Sequence, residues 1–167
     1  CEEFKVEHFY FEWIKDFSAA RNFSLDKITT EFVMWGDGDD ILKPESYNKL
    51  QLLKPNLQKD IYLLPYIYSH NADDSIESVL PRERIFKRIP QIRWQGAIHE
   101  TLPPIYSFSW EKLDIPIDHY RRHCNDVNRN LEILESEYKK DPLNPRTRFY
   151  YSRDLVASGK LEGIPIM

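Results

Sequence analysis

Three aspartates, Asp37, Asp39 and Asp40, directly follow the apolar run 32–35. Three carboxylates within four residues repel one another, so a fold tolerates them best when they are solvated or neutralised by a cation. Hard cations such as Mg²⁺ and Mn²⁺ prefer oxygen ligands. The carboxyl end of a strand is also where open α/β sheets bind ligands. The spacing therefore indicates a divalent-cation site, with a solvated polar turn as the alternative.

A basic segment follows, in which residues 82–93 contain five arginines and lysines although the chain has a net charge of −4. Alternate residues of a strand share a face, so Arg82, Arg84 and Arg88 are expected on one face and Ile85 on the other. Such a face can hold a diphosphate through charge-assisted hydrogen bonds. The alternative is an edge strand kept soluble by its charges.

Two histidines end predicted strands. His99 and Glu100 close the strand that contains Trp94, and His119 closes a later one. Histidine can bind a metal or transfer a proton, and a neighbouring carboxylate can act as a general base. Taken alone, a His-Glu pair at a strand end is more often ordinary loop chemistry, and His119 has the same ambiguity.

Composition narrows the classes of function. The 167 residues are 41% hydrophobic and 30% charged, which is typical of a soluble globular protein of about one domain. The acidic balance argues against a nucleic-acid partner. Cys1 and Cys124 are too few to form a disulfide framework, so we expect a reducing environment. The expected location is the cytoplasm, either free in it or associated with the inner face of the membrane. We interpret Cys124 as a structural residue. No nucleophile elbow, Cys-x-x-Cys pair, Walker loop or dinucleotide fingerprint is present.

The elements that must position these residues alternate between strand and helix. Periodicity and turn residues predict strands over 4–14, 32–35, 60–68, 82–88, 92–98 and 114–119, and helices over about 16–29, from Pro44, over 127–138 and from Pro145. This order predicts an α/β fold with a mixed sheet flanked by helices over residues 1–120. A helical hairpin is predicted over residues 121–167.

In combination, these segments resemble family 2 glycosyltransferases of the GT-A fold. The resemblance rests on residues 16–22 (Asp-Phe-Ser-Ala-Ala-Arg-Asn), 35–40 (Trp-Gly-Asp-Gly-Asp-Asp), 84–87 (Arg-Ile-Phe-Lys) and 94–100 (Trp-Gln-Gly-Ala-Ile-His-Glu). It covers nearly the whole chain and fits a bacterial subgroup whose members often carry helical repeats after the catalytic domain. The resemblance implies a GT-A, Rossmann-like domain over 1–120 and the start of a tetratricopeptide-like module over 121–167.

The resemblance also implies a reaction, the transfer of a sugar from a nucleotide-diphosphate donor, with a UDP-sugar expected, by metal-dependent, inverting displacement. Asp37 and Asp39 match the Asp-x-Asp motif that holds the donor through its ribose and a Mn²⁺ or Mg²⁺ on the diphosphate. Asp39 is the first choice as metal ligand, Asp40 supports it, and His99 is a further ligand. Glu100 matches the carboxylate that deprotonates the acceptor. The implied donor-binding residues are Arg21, Asn22, Asp37, Asp39, Arg84 and Trp94.

The chain departs from the family pattern at its start. Family members begin with a strand, an Asn-Glu turn, a helix and a second strand that ends in an Asp-x-Gly-Ser-Thr-Asp-like loop, and these 167 residues contain none of them. We therefore expect the N-terminal part of the donor site to be missing from the sequence.

Several possibilities stay open at this point. The family's acceptors include saccharides, lipids, cell-envelope polymers and peptides, and a partner protein could bind the C-terminal helices. One alternative function is a non-catalytic remnant or partner-binding module of the same fold. A weaker one is metal-dependent phosphoryl transfer, because an acidic turn with arginines also suits phosphate chemistry.

Overall fold

The computed structural model describes residues 6–120 and 127–160, so Cys1, Cys124 and the start of the predicted hairpin lie outside the described residues. Over the described residues the chain is α/β, as predicted. In chain order the elements are α1 (Phe17–Lys27), β1 (Phe32–Met34), β2 (Asp40–Ile41), α2 (Pro44–Leu53), β3 (Ile61–His70), β4 (Ile76–Lys87), β5 (Trp110–Lys112), β6 (Ile117–His119), α3 (Val127–Lys140) and α4 (Pro145–Ala157). None of the helices in these two ranges is long and apolar enough to cross a membrane.

The chain groups into two compact units. Of the described residues, the first unit, the helical unit, draws on 6–27, Trp94–Thr101 and 127–160, and contains α1, α3 and α4. The second, the sheet unit, draws on Ile28–Arg93 and 102–120, and contains β1–β6 and α2. This grouping differs from the expected division near residue 120, because an N-terminal helix and a central loop associate with the hairpin. That division into functional domains stays a prediction.

The sheet unit is a mixed, open sheet in the order β1-β4-β3-β6-β2, with β5 pairing β3 off this path. Pairing is antiparallel for β1–β4, β3–β4 and β2–β6 and parallel for β3–β5 and β3–β6. The predicted mixed sheet is therefore confirmed, and the arrangement is compatible with a Rossmann-like fold. The more specific GT-A assignment stays a prediction.

The core of the sheet unit lies between the sheet and α2. Pro44 occupies the first turn of α2, where its missing N–H costs no helical hydrogen bond. The helix buries Leu50 against apolar side chains of the strands and the segment before β6. The buried cluster comprises Leu50, Tyr62, Leu64, Tyr66, Ile85, Ile115 and Ile117.

In the helical unit, α3 and α4 form the predicted hairpin. The helical spacing of Leu131 and Leu134 predicts an apolar stripe on α3, and this is confirmed because both residues are buried. Helix α4 begins after Asn144, whose Oδ1 accepts hydrogen bonds from the backbone N–H groups of Arg146 (3.0 Å) and Thr147 (3.1 Å). The helix therefore starts at Pro145, as the sequence predicted, and the structure shows Asn144 as its N-cap.

The strand predicted over 4–14 is wrong for its described part, because residues 6–14 adopt no regular secondary structure. Aromatic residues favour a strand only when a neighbouring strand is present to pair with. Here the aromatic side chains pack on α1 instead. The Phe11 ring lies 5.2 Å from that of Phe23, and Lys27 Nζ lies 5.5 Å from the Phe9 ring centroid.

The strand predicted over 92–98 is also wrong. The segment is a loop closed by one isolated bridge, in which Gln95 and Thr101 exchange backbone hydrogen bonds of 2.9 and 3.0 Å. Gly96 has φ = 90°, which a strand does not accommodate. The Asn22 side chain makes the hydrogen bonds to the Trp94 backbone that an adjacent strand would otherwise make.

Candidate functional site

A polar cluster in the sheet unit forms where β2 meets β6. Antiparallel pairing places Asp40 opposite His119. His119 Nδ1 lies 3.2 Å from Asp40 Oδ1 and 3.5 Å from Asp39 Oδ1. Each of the three residues offers a ligand atom within 4.8 Å of the other two. Two carboxylate oxygens and one imidazole nitrogen form a donor set that suits a divalent cation such as Mn²⁺ or Zn²⁺.

Asp40 is the centre of the hydrogen bonds around this cluster. Its Oδ2 accepts from Arg84 Nη1 and from the backbone N–H of Asp37, both at 2.8 Å. Its Oδ1 accepts from the Tyr66 hydroxyl at 3.0 Å. The Asp40 side chain is 7% exposed and that of Asp39 is 27% exposed. Asp40 therefore has its charge balanced inside the protein, whereas Asp39 is the more accessible carboxylate.

The alternation predicts that Arg84 lies on the face of β4 opposite to Ile85, pointing away from the core. Arg84 is instead buried, because only 1% of its surface is exposed. Its guanidinium carbon lies 3.8 Å from the Trp35 ring centroid and 4.1 Å from that of Tyr66. Ile85 is buried as well, so both faces of β4 are covered at this point. Burial of the guanidinium is compensated by the ion pair with Asp40 and by the two aromatic faces. A diphosphate contact of Arg84 stays a prediction.

The His119 ring is held between two tyrosines. Its centroid lies 5.4 Å from that of Tyr66 and 5.9 Å from that of Tyr68, which is nearly parallel to it. Burial, together with the Asp40 charge, raises the pKa of Tyr66 far above its usual value, so its hydroxyl stays protonated and donates to Asp40. Sequence reasoning missed Tyr66, and the strand register that identifies it is not visible in the sequence.

A cavity of about 190 Å³ adjoins the cluster in the sheet unit. Asp37 and Asp40 line it beside Trp35 and Ile117. A space with two carboxylates and apolar walls can accept a group that carries both hydroxyls and an apolar face, such as a ribose or a sugar ring.

A second buried carboxylate, Asp118, lies next to His119 in β6 and is 2% exposed. Its Oδ2 is 2.7 Å from Lys43 Nζ, and its Oδ1 is 3.4 Å from His70 Nε2. The hydrogen bond to Asp118 raises the pKa of Lys43, so the lysine stays charged. The pair ties the start of α2 to β6, and so supports the strand that carries His119.

The helical unit holds the other predicted site residues. Glu100 Oε1 accepts a hydrogen bond of 2.6 Å from Arg21 Nε, and the two side chains are 15% and 24% exposed. The Arg21 guanidinium carbon also lies 4.9 Å from the Trp94 ring centroid. Asn22 donates to Trp94 O at 2.9 Å and accepts from Trp94 N at 3.0 Å. These four residues therefore come together, although Trp94 is only 6% exposed and has Arg21 over its ring. The donor-binding roles of Arg21, Asn22 and Trp94, and the role of Glu100 as the base, stay predictions.

His99, which is predicted as a metal ligand, contacts α4 within the helical unit. Its ring stacks on Tyr150 with a centroid distance of 4.1 Å, and its Nε2 lies 3.1 Å from Arg153 Nη2. The group that the described residues form instead contains Asp39, Asp40 and His119. The backbone N–H of Asp37 donates a hydrogen bond to Asp40 Oδ2, which is the contact of Asp37 with this group. The ligand roles of Asp37 and His99 stay predictions.

Comparison with curated proteins finds relatives that are named glycosyltransferases. The chain is similar to the SPbeta prophage-derived glycosyltransferase SunS of Bacillus subtilis (strain 168) and to glycosyltransferase SunS of Bacillus phage SPbeta. Each is 25% identical over an alignment 167 positions long, which covers 93% of this chain and 38% of the relative. No known protein-family profile matches the chain. The chain thus spans 38% of the length of these curated relatives, and its similarity is to proteins named glycosyltransferases.

Proposed function

We propose that this chain is part of a glycosyltransferase that moves a sugar from a nucleotide-diphosphate donor, a UDP-sugar, to an acceptor. The observation that carries the proposal is the convergence of Asp39, Asp40 and His119 beside the buried Arg84. The similarity to named glycosyltransferases supports the reaction class. The family 2 and GT-A assignments are part of this proposal and are supported by the motif order.

The leaving group of such a reaction is a nucleoside diphosphate, whose negative charge must be stabilised. The cluster fits a divalent cation because its three ligand atoms are close together and Asp39 is partly exposed. We propose Asp39 and His119 as its ligands. Asp40 lies beside them, and Arg84 and Tyr66 fix its carboxylate. When bound there, Mn²⁺ or Mg²⁺ would supply positive charge for the diphosphate.

Glu100 is the proposed base. It takes the proton of the acceptor nucleophile as that atom bonds to the anomeric carbon, while the bond from this carbon to the diphosphate oxygen breaks and the nucleoside diphosphate leaves. A single displacement of this kind inverts the anomeric configuration. Arg21 Nε fixes Glu100 Oε1, which supports the role because a base must be held in place relative to the acceptor.

The metal proposal is tested by titrating the protein that contains this chain with UDP in the presence and absence of Mn²⁺. We expect Mn²⁺ to strengthen UDP binding and Asp39→Ala to abolish that effect. Asp114→Asn is the matched control, since its side chain is 88% exposed and pairs with Lys49. If Mn²⁺ strengthens UDP binding equally in wild type and Asp39→Ala, the proposed ligand is wrong.

The base proposal is tested with Glu100→Gln, which keeps the size of the side chain and removes its charge. Loss of a general base lowers turnover by about 10²–10⁴-fold, so sugar transfer should fall by that amount while UDP binding persists. The measurement is UDP release from a panel of UDP-sugars. An unchanged rate would rule out Glu100 as the base, and release of UMP and sugar 1-phosphate in place of UDP would indicate attack at phosphorus and favour phosphoryl-transfer chemistry.

A further inference from the structure

The loop Trp94–Thr101 carries Glu100. Helix α4 contacts this loop at His99, the residue that precedes Glu100. His99 has φ = 52°, a left-handed backbone conformation that a side chain such as histidine seldom adopts. Its carbonyl oxygen accepts a hydrogen bond from Arg146 Nη2. Its ring stacks on Tyr150 at 4.1 Å with an interplanar angle of 22°, and its Nε2 lies 3.1 Å from Arg153 Nη2. Backbone and ring of one residue are therefore both fixed by the same helix.

Arg146, Tyr150 and Arg153 form one continuous surface, which we call the α4 clamp. The two guanidinium carbons lie 5.0 and 4.8 Å from the Tyr150 ring centroid. Arg153 also pairs with Asp154 at 2.7 Å, which fixes its position along the helix. Arg153 Nη2 can only donate, so the 3.1 Å contact is a hydrogen bond from the guanidinium to His99 Nε2.

We propose that the α4 clamp positions the carboxylate of Glu100, so that Tyr150 is a positioning residue for sugar transfer. This inference rests on the proposed function, and it gives α4 of the helical hairpin a role in sugar transfer. Because His99 immediately precedes Glu100, the left-handed turn at His99 sets the direction in which the chain enters Glu100. From there Glu100 reaches Arg21 at 2.6 Å. The carboxylate thus depends on α1 directly and on α4 through the backbone.

The remaining contacts of the loop are consistent with a rigid support. The bridge between Gln95 and Thr101 closes the loop at its base, and Ala97 O accepts from the backbone N–H of Phe17 at 2.8 Å. The loop is therefore anchored at its base and on α1, and His99 is the point at which α4 determines its shape. A base that shifts by about 1 Å can lose about 10²-fold in rate, so this anchor is expected to affect turnover.

The first test is kinetic and uses Tyr150→Leu, which removes the aromatic face. We expect kcat for UDP release from the UDP-sugar that the wild type uses best to fall by about 10–100-fold. The KM for that donor and the Mn²⁺-dependent affinity for UDP should stay unchanged, since neither depends on Glu100. Tyr150→Phe should recover most of kcat because it retains the stacked ring. Val156→Ala, at an exposed position of the same helix, is the matched control.

A double-variant comparison shows whether Tyr150 acts through Glu100. In the Glu100→Gln background, Tyr150→Leu should cause no further loss of kcat, because the group that it positions is gone. If the two losses multiply, Tyr150 acts by another route and the proposal is overturned.

Hydrogen exchange gives a readout that does not depend on activity. The amides of Gln95 and Thr101 should exchange faster in Tyr150→Leu than in wild type, Tyr150→Phe or Val156→Ala. Unchanged exchange together with unchanged kcat would overturn the proposal. If the wild type releases no UDP from any UDP-sugar and exchange still accelerates in Tyr150→Leu, the clamp on the loop is supported and the proposed function is what fails.

Discussion

Replacement of Arg84 by methionine tests the ion pair at the centre of the acidic cluster. Methionine keeps much of the length and apolar volume of the arginine stem and removes the guanidinium. In Arg84→Met, Asp40 loses a hydrogen bond of 2.8 Å and its balancing charge while it remains 7% exposed. Trp35 and Tyr66 lose the cation between their rings at the same time.

The magnitude follows from the burial of both partners. Removing one member of a buried ion pair costs about 3–5 kcal/mol, because the other charge stays buried without compensation. For a chain of this size, each kcal/mol lowers Tm by about 2–4 °C, so the expected decrease is about 6–20 °C. The double variant Arg84→Met, Asp40→Asn carries neither charge. It should therefore be less destabilised than the sum of the two single variants by about 1–3 kcal/mol.

The assay is urea unfolding followed by tryptophan fluorescence, with calorimetry for Tm. Arg82→Met is the matched control, because Arg82 lies on the same strand with a side chain 37% exposed and its nearest carboxylate 3.9 Å away. An exposed pair of this kind contributes at most about 1 kcal/mol. Mn²⁺ should raise the Tm of Arg84→Met more than that of wild type, since the competing cation beside Asp40 is absent.

Two results would refute this reasoning. One is a loss in Arg84→Met of less than about 1 kcal/mol, the value of an exposed ion pair, which would mean that solvent screens the pair. The other is strict additivity of the Arg84 and Asp40 substitutions, which would mean that the two side chains do not interact energetically.

Two further predictions concern stability. Asn22→Leu removes both hydrogen bonds to the Trp94 backbone and should cost about 2–4 kcal/mol in urea unfolding. Equal stability would show that the loop does not depend on these two hydrogen bonds. The Ser109 hydroxyl and backbone N–H lower the pKa of Asp60, so its stabilising contribution is present above pH 3.8 and is lost as pH falls through the folded value. Asp60→Asn should therefore flatten the stability curve below about pH 4, and an unchanged slope in acid-range unfolding would contradict this assignment.

The local parts of the fold were predictable because their signals are local. Helix α2 begins at Pro44 and helix α4 at Pro145, as proline at a first helical turn predicts. Helix α1 follows Asp16, whose Oδ1 accepts from Ala19 N at 2.8 Å. The apolar stripe of α3 was predicted from the spacing of nearby residues in the same way. Each of these features depends on residues within about one or two helical turns.

Propensity failed where a distant partner decides the outcome. Residues 6–14 have strand-forming side chains, yet they pack on α1 because the described structure offers them no neighbouring strand. Gln95 and Thr101 enclose a loop because Gly96 and His99 adopt positive φ values and Asn22 bonds to the chain at Trp94. A short segment of sequence shows the strand propensity of its own residues, but it does not show which distant residues will pack against them.

The candidate site divides in the same way. The sequence by itself identified the carboxylates after β1, the His99-Glu100 pair and the α/β class, because these depend only on residue type and on spacing along the chain. Only the tertiary structure brought His119 to Asp40, 79 positions away, and enclosed Arg84 between two aromatic rings. Strand register brings distant residues together, and a charge is buried only where another element covers it. Neither condition can be read from one segment of the chain.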